Sequence, residues 1–164
     1  MRKDVILLLL VLAISLLGCQ HVPKPAISTS TLNLGGEGVV TEIWVSDACP
    51  QTGEIITARA TVTNETSKTQ VFDSKDHPVL DLAVGRVGEG AFPRWSDGKA
   101  LTPDLTHLEL QPGQSKTIQM DLTISDNAAL YRAGATFNYD AKGFPIVAGV
   151  SFAGPHGCSI IDLP

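Results

Sequence analysis

From Val39 onward the chain alternates apolar and polar residues in short runs broken by Gly, Pro, Asn and Asp. A period of two sends successive side chains to opposite faces of a strand and buries one of them. The clearest run is Glu54–Asn64. Ile56, Ala58, Ala60 and Val62 share one face there, and Thr57, Arg59, Thr61 and Thr63 share the other. Ile118, Met120, Leu122 and Ile124 alternate in the same way with Thr117, Gln119, Asp121 and Thr123, which predicts a half-buried strand with a solvated polar face. Further strands are expected over Val39–Ser46, Thr69–Phe72, Leu80–Gly85, Leu105–Leu110, Tyr131–Tyr139 and Pro145–Phe152. Gln111-Pro112-Gly113-Gln114 has Pro and Gly where a type II turn requires them. Asp140-Ala141-Lys142-Gly143 reads as another turn, and Ser125 or Asp126 as the cap of a single helical turn through Leu130. Tyr131 follows this corner, where sandwich folds set a tyrosine hydroxyl on upstream backbone. Seven or eight short strands with no repeat and no long amphipathic helix predict an all-β fold, an immunoglobulin-like antiparallel β-sandwich.

The first residues follow a different pattern. Arg2 and Lys3 precede a nearly unbroken apolar run, Val5–Leu17, which is too short for a comfortable membrane span. The run ends in Leu16-Leu17-Gly18-Cys19, which resembles the bacterial lipobox. That resemblance implies a lipoprotein signal peptide over 1–18, cleaved after Gly18, with Cys19 carrying the lipid (thioether-linked diacylglycerol and an acylated, palmitate-type amino terminus). Several acyl chains on one residue anchor stably, at about 0.8 kcal/mol per buried CH₂. Gln20 in place of Asp favours the outer membrane if the cell is Gram-negative. Residues 19–38, with Pro23, Pro25, a Ser/Thr cluster and Gly35-Gly36, read as the lipidated cysteine and a flexible tether. Leu32 and Leu34 alternate, so a short edge strand is the competing reading. The sandwich is expected over 39–164.

Cleavage would leave 146 of the 164 residues, enough for one domain with its own core. Loss of Arg2, Lys3 and Asp4 moves the net charge from −5 to −6. A scattered acidic surface argues against nucleic acid, whose phosphates need clustered Lys and Arg, and against electrostatic adhesion to anionic lipid.

The most distinctive stretch is Phe92–Pro103, FPRWSDGKALTP. Asp97-Gly98 is a turn signal, Trp95 beside it needs both packing and an N–H partner, and Arg94 and Lys99 bracket it. These cations suit an anion or carboxylate; equally, the turn can be a tryptophan lid over one end of the core. Arg94-Trp95-Ser96-Asp97-Gly98-Lys99, followed by an alternating segment and Leu110-Gln111-Pro112-Gly113-Gln114, resembles the BsuPI-type intracellular proteinase inhibitor family. Thr61-Val62-Thr63-Asn64-Glu65-Thr66 is similar to that family's V-x-N-x-T step. The resemblance covers roughly residues 54–122. It implies a small immunoglobulin-like sandwich and inhibition of a protease, whereas the export signal departs from a cytoplasmic setting.

Of three cysteines, Cys19 is assigned to lipid. Cys49 and Cys158 remain, an even pair in an oxidising compartment, and are expected to form a disulfide. In immunoglobulin-like sandwiches the first strand often lies beside the last, which would put both at one pole. A reactive cysteine assisted by His156 is the alternative. Asp73, Asp76 and His77 share a loop that invites a metal reading, yet no zinc or EF-hand spacing occurs there, so no metal and no cofactor is assigned. His107 is expected on the exposed face of its strand. There is no G-x-S-x-G, phosphate loop, H-E-x-x-H or placed carboxylate pair, and the chain is read as no enzyme.

Two functions remain open. One is a protein-binding module, a monomer held on the membrane through Cys19, presenting the candidate loop Arg94, Trp95, Ser96, Asp97, Gly98 and Lys99 to an envelope protein or protease. The other is a structural or accessory envelope lipoprotein in which that turn only closes the core. An outward Trp95 with splayed cations marks the first; a buried Trp95 with Arg94 and Lys99 bonded locally marks the second.

Overall fold

The computed structural model describes residues 22–34, 37–88, 90–125, 130–137 and 146–155. Nine strands and one short helix lie among them. In chain order these are β1 (Ala26–Leu34), β2 (Glu37–Val45), β3 (Ile55–Asn64), β4 (Gln70–Asp73) and β5 (Leu80–Arg86). Then come α1 (Pro103–Thr106), β6 (His107–Leu110), β7 (Ser115–Thr123), β8 (Leu130–Phe137) and β9 (Ile146–Ala153).

Two layers make an immunoglobulin-like antiparallel sandwich. One is a four-stranded sheet in the order β1-β2-β3-β7; the other runs β5-β8-β9, and β4 pairs with β6 as a separate ribbon. Every ladder is antiparallel. Register follows the period-two pattern. Ile43 faces Ala60 and Ala60 faces Ile118, so the apolar set of three strands meets on the inner face. Val39, Ile43, Val45, Ile56, Ala58, Ala60 and Val62 are buried there. Leu82 and Val84 of β5 and Ala133, Ala135 and Phe137 of β8 close the core from the other layer. Phe72 meets Phe137 edge to face at 4.8 Å, a favoured aromatic geometry.

The strand end at Asn64 is a polar latch. The carboxamide of Asn64 is fully buried and fully satisfied. Its nitrogen donates to the carbonyls of Lys68 and Leu110, and its oxygen accepts from the amide and hydroxyl of Thr66. Its backbone also bonds across to Gly113 and Gln114, which ties β3 to the Gln111–Gln114 turn. Val62, Asn64 and Thr66 of the V-x-N-x-T step are thus all buried, as one strand residue and the two halves of a latch. Gly113 takes φ 75°, the left-handed value that its turn demands of glycine.

Three expectations need correction. The tether predicted over 19–38 gives way at Ala26. From there β1 pairs with β2, Ile27 opposite Trp44 and Thr29 opposite Glu42, so the sandwich begins before residue 39. A Ser/Thr-rich segment makes a good strand when one face meets water, and β-branched threonine suits a pleated sheet. Secondly, Leu105–Leu110 is not one strand. Pro103–Thr106 forms a helical turn with Pro at its start, and only His107–Leu110 is extended. Leu130 opens β8, so it is not helical. The rest of that corner, the Asp140–Gly143 turn, Tyr139, Cys19 and Cys158 lie outside the described residues. Tyr131 does hold upstream backbone: its hydroxyl accepts from the amide of Ser125 at 2.9 Å.

Asn64→Ala strips four hydrogen bonds, three of them buried, and each buried group left stranded keeps its desolvation penalty. Urea unfolding is expected to show a loss of about 3 kcal/mol. A loss below about 1 kcal/mol would mean that the latch is not holding the strand end.

Candidate functional site

The Phe92–Lys99 stretch is built onto the free edge of β5. The amide of Val84 donates to the carbonyl of Pro93, and the amide of Trp95 donates to that of Leu82, with Arg94 bridged to Ala83. Phe92 lays its ring over the backbone of Gly85; a Cβ there would stand 2.6 Å from the ring. Glycine at this position is what lets the segment lie flat against the strand.

Asp81 then fixes the turn. Asp81 alternates with the core-facing Leu80, Leu82 and Val84 of β5, yet the Phe92–Ser96 segment covers its face and buries it to 3% exposure. One carboxylate oxygen accepts from the amides of Leu82 (2.9 Å) and Ser96 (3.2 Å). The other accepts from the Ser96 hydroxyl (2.8 Å) and from Nη1 of Arg94 (3.3 Å). A buried carboxylate is tolerated only with such a set of donors. Asp97 closes the turn from outside, its carboxylate accepting from the amide of Arg94 at 2.8 Å. The amide of Lys99 donates to the carbonyl of Ser96, with Gly98 at φ 74° between them.

The six residues of the candidate loop therefore come together, with unequal freedom. Arg94 and Ser96 are committed to Asp81. Trp95 is half-buried and packs against the core, and Nζ of Lys99 lies 3.1 Å from its ring centroid, a cation–π contact. Of the features set out above for an architectural turn, the Arg94–carboxylate pair is present, while Trp95 is half-buried rather than buried and Lys99 lies on its ring.

Beside Trp95 lies a small, half-open hollow that the sequence did not reveal. Trp95 walls one side; Leu80, Leu105, Leu108 and Ile118 supply the apolar lining, and Asp104, His107 and Lys116 carry the polar groups. Its residues come from four separate stretches of chain, which is why alternation alone could not assemble it. It is a shallow surface feature, apolar on its floor with a few polar groups at its lining.

The Asp73–His77 loop has its own partners. Asp73 turns across the ribbon to Nδ1 of His107 at 2.7 Å. The Ser74 hydroxyl bonds Nδ1 of His77, whose Nε2 lies 3.6 Å from Asp76. His107 is exposed, as its place in the strand predicts. Among the described residues, no group of three or more His, Cys, Asp or Glu is arranged to hold a metal.

Comparison with known proteins gives one strong result. The family model for BsuPI, intracellular proteinase inhibitor, matches residues 27–142, a span that runs from β1 through β8. No curated protein matches the chain. Among solved structures, the β-glucosidase EmGH1 from Erythrobacter marinus is 10% identical with a TM-score of 0.36, over 79% of this chain and 15% of that one. A β-glucosidase from Listeria innocua in complex with isofagomine is 14% identical with a TM-score of 0.34, over 79% and 16%. A FixG-related protein from Vibrio parahaemolyticus is 15% identical with a TM-score of 0.30, over 81% and 98%. The chain thus spans under a fifth of the glucosidases' length, and likenesses this distant carry no argument about activity.

Asp81→Ala leaves the amides of Leu82 and Ser96 and the Ser96 hydroxyl without their acceptor. A stability loss of about 3 kcal/mol is expected in urea, against about 1–2 for Asp81→Asn, which keeps an oxygen acceptor. Amide exchange at Trp95 and Ser96 should accelerate in both. Unchanged protection there would show that the turn is held by something else.

Proposed function

Because the chain belongs to the BsuPI family of intracellular proteinase inhibitors, we propose that it is a membrane-anchored, non-catalytic binding module whose partner is a protease. The family match over residues 27–142 carries this reading. The cleft beside Trp95 is the surface that fits it best. A protease loop would seat an apolar side chain against Leu105 and Leu108, with Asp104, His107 and Lys116 available to polar groups around it. Trp95, braced through its neighbours by Asp81, serves as a rigid wall and keeps the ordering cost of binding small.

The anchor rests on the sequence of the leading segment, Val5–Leu17 ahead of Leu16-Leu17-Gly18-Cys19. Acylation of Cys19 would move an inhibitor fold from the cell interior to the envelope, so its protease would be an envelope or extracellular enzyme. A second reading, a structural or accessory lipoprotein, draws on the Arg94–Asp81 pair, which spends the turn's arginine on the protein itself.

Cys49–Cys158 is the proposed disulfide. In its support, Cys49 is disulfide-bonded, and the amide of Ala153 donates to the carbonyl of Ala48 at 3.0 Å. That bond brings the end of β9 to the residue before Cys49. With the Cys19 thiol taken by lipid, Cys158 is the cysteine that remains.

The test of function is titration of the mature protein against purified envelope and secreted proteases of the serine, cysteine and metallo classes. Stoichiometric loss of one protease activity is expected. Leu105→Glu should weaken that inhibition about tenfold or more, the loss of a central apolar anchor, with an unchanged melt. Inhibition that survives Leu105→Glu but fails in Trp95→Ala/Lys99→Ala at normal stability would move the surface to the turn. No inhibited protease leaves the accessory reading.

For the disulfide, peptide mapping without reductant should return Cys49 linked to Cys158. The Cys49→Ser/Cys158→Ser protein is expected to lose about 4–5 kcal/mol, the chain-entropy value for a loop of this length. A Cys49 peptide recovered unlinked would sink the pairing.

A further inference from the structure

We infer that the end of the sandwich at which the chain arrives from its leading segment is a lipid-facing surface, on which the domain rests against the bilayer that holds its anchor. This inference rests on the proposed lipidation of Cys19.

The observation is where exposed apolar side chains fall. Among the described residues seven large hydrophobics are exposed, and five of them, Val22, Ile27, Ile55, Val87 and Leu130, lie at this one end. Both layers contribute. Ile27 opens β1 and Ile55 opens β3, on the four-stranded sheet; they are 57% and 65% exposed. Val87 follows β5, and its amide donates to the carbonyl of Leu130 at the start of β8, which places this pair at the same end of the opposite sheet. The amide of Ala153 at the end of β9 bonds Ala48, which joins the two layers there. Trp44, paired with Ile27 across the ladder, adds an indole beside this end. Single exposed hydrophobics are ordinary on a soluble surface; their gathering at one end of both sheets is not.

The length of the leading chain says what covers them. The amide of Ala48 donates to the carbonyl of Lys24, so the fold grips the chain at that residue. Cys19 stands five residues earlier. Five residues reach at most about 17 Å when fully extended. Strands of nine residues, by contrast, carry the far end of the sandwich about 30 Å farther away. Acyl chains on Cys19 therefore keep Val22, Ile27 and Ile55 within reach of the headgroup layer and the opposite end farther from it. Val22, 80% exposed, lies between the anchor and the first strand.

The experiment uses the full, lipidated protein in phosphatidylcholine vesicles. An environment-sensitive NBD dye is attached under oxidising conditions to a single introduced thiol: Ile55→Cys on one sheet, Leu130→Cys on the other, or Gln111→Cys in the turn at the far end. Doxyl-labelled phosphatidylcholine is expected to cut emission at least by half at positions 55 and 130 and to leave position 111 unchanged. Vesicle flotation with undiminished emission at 55 and 130, or equal quenching at all three, overturns the lipid-facing end while the anchor stands. Failure of the wild type to float, with an unmodified Cys19 by mass, overturns both. A concentration-dependent blue shift at position 55 in the unlipidated Cys19→Ala protein would assign this end to a second copy of the chain and overturn the inference.

Discussion

The turn and cleft depend on one buried carboxylate. Asp81 is placed inside by the strand that carries it and by the segment that returns over that strand. Burial makes an ion costly unless donors surround it, and here they come from four groups on three residues: the Leu82 amide, the Ser96 amide and hydroxyl, and Arg94. The interaction is therefore directional in its consequence. Its part is not to gather the two sheets, which their apolar faces already bring together. Instead it selects a single position for Phe92–Lys99, and with it for the indole that walls the cleft. A looser attachment would keep the fold and lose the wall.

Much of this was legible in the sequence wherever one face of a strand meets water. Ile56, Ala58, Ala60 and Val62 read correctly because β3 alternates without interruption, and the Gln111–Gln114 turn read correctly because Pro and Gly leave the backbone few choices. Asp81 misled for the complementary reason. Alternation assigns every second residue of β5 to solvent, yet a further stretch of chain covers that face, and nothing local to Leu80–Gly85 announces it. The nearest signal was Gly85, a strand glycine that marks close approach by another segment. β1 misled differently: Ser and Thr between prolines and glycines resemble a tether by composition, while threonine is also a competent strand former. The cleft was out of reach altogether, since α1, β5, β6 and β7 must be docked before Leu105, Leu108 and Ile118 share a hollow.

Family membership and the site speak at different levels. Membership says that the fold from β1 to β8 is one used by proteinase inhibitors. The site says which surface of this chain offers shape and rigidity together. The turn first singled out by its residues has its arginine and serine bonded to Asp81. Its value is as a support: an inhibitor profits from a wall that does not have to be ordered on binding.

Position within the sandwich gives these parts a common axis. Ile27, Ile55 and Leu130 sit where β1, β3 and β8 begin, while Leu80 and Ile118 of the cleft belong to the opposite halves of β5 and β7. Antiparallel pairing makes this separation unavoidable, since strands that begin at one end must have neighbours that begin at the other. Under the proposed anchoring at the apolar end, the cleft would face away from the bilayer. A flexible tether would have allowed every orientation; ordering β1 from Ala26 removes most of them. The strand that displaced the expected tether is thus also the element that would give an anchored inhibitor its direction.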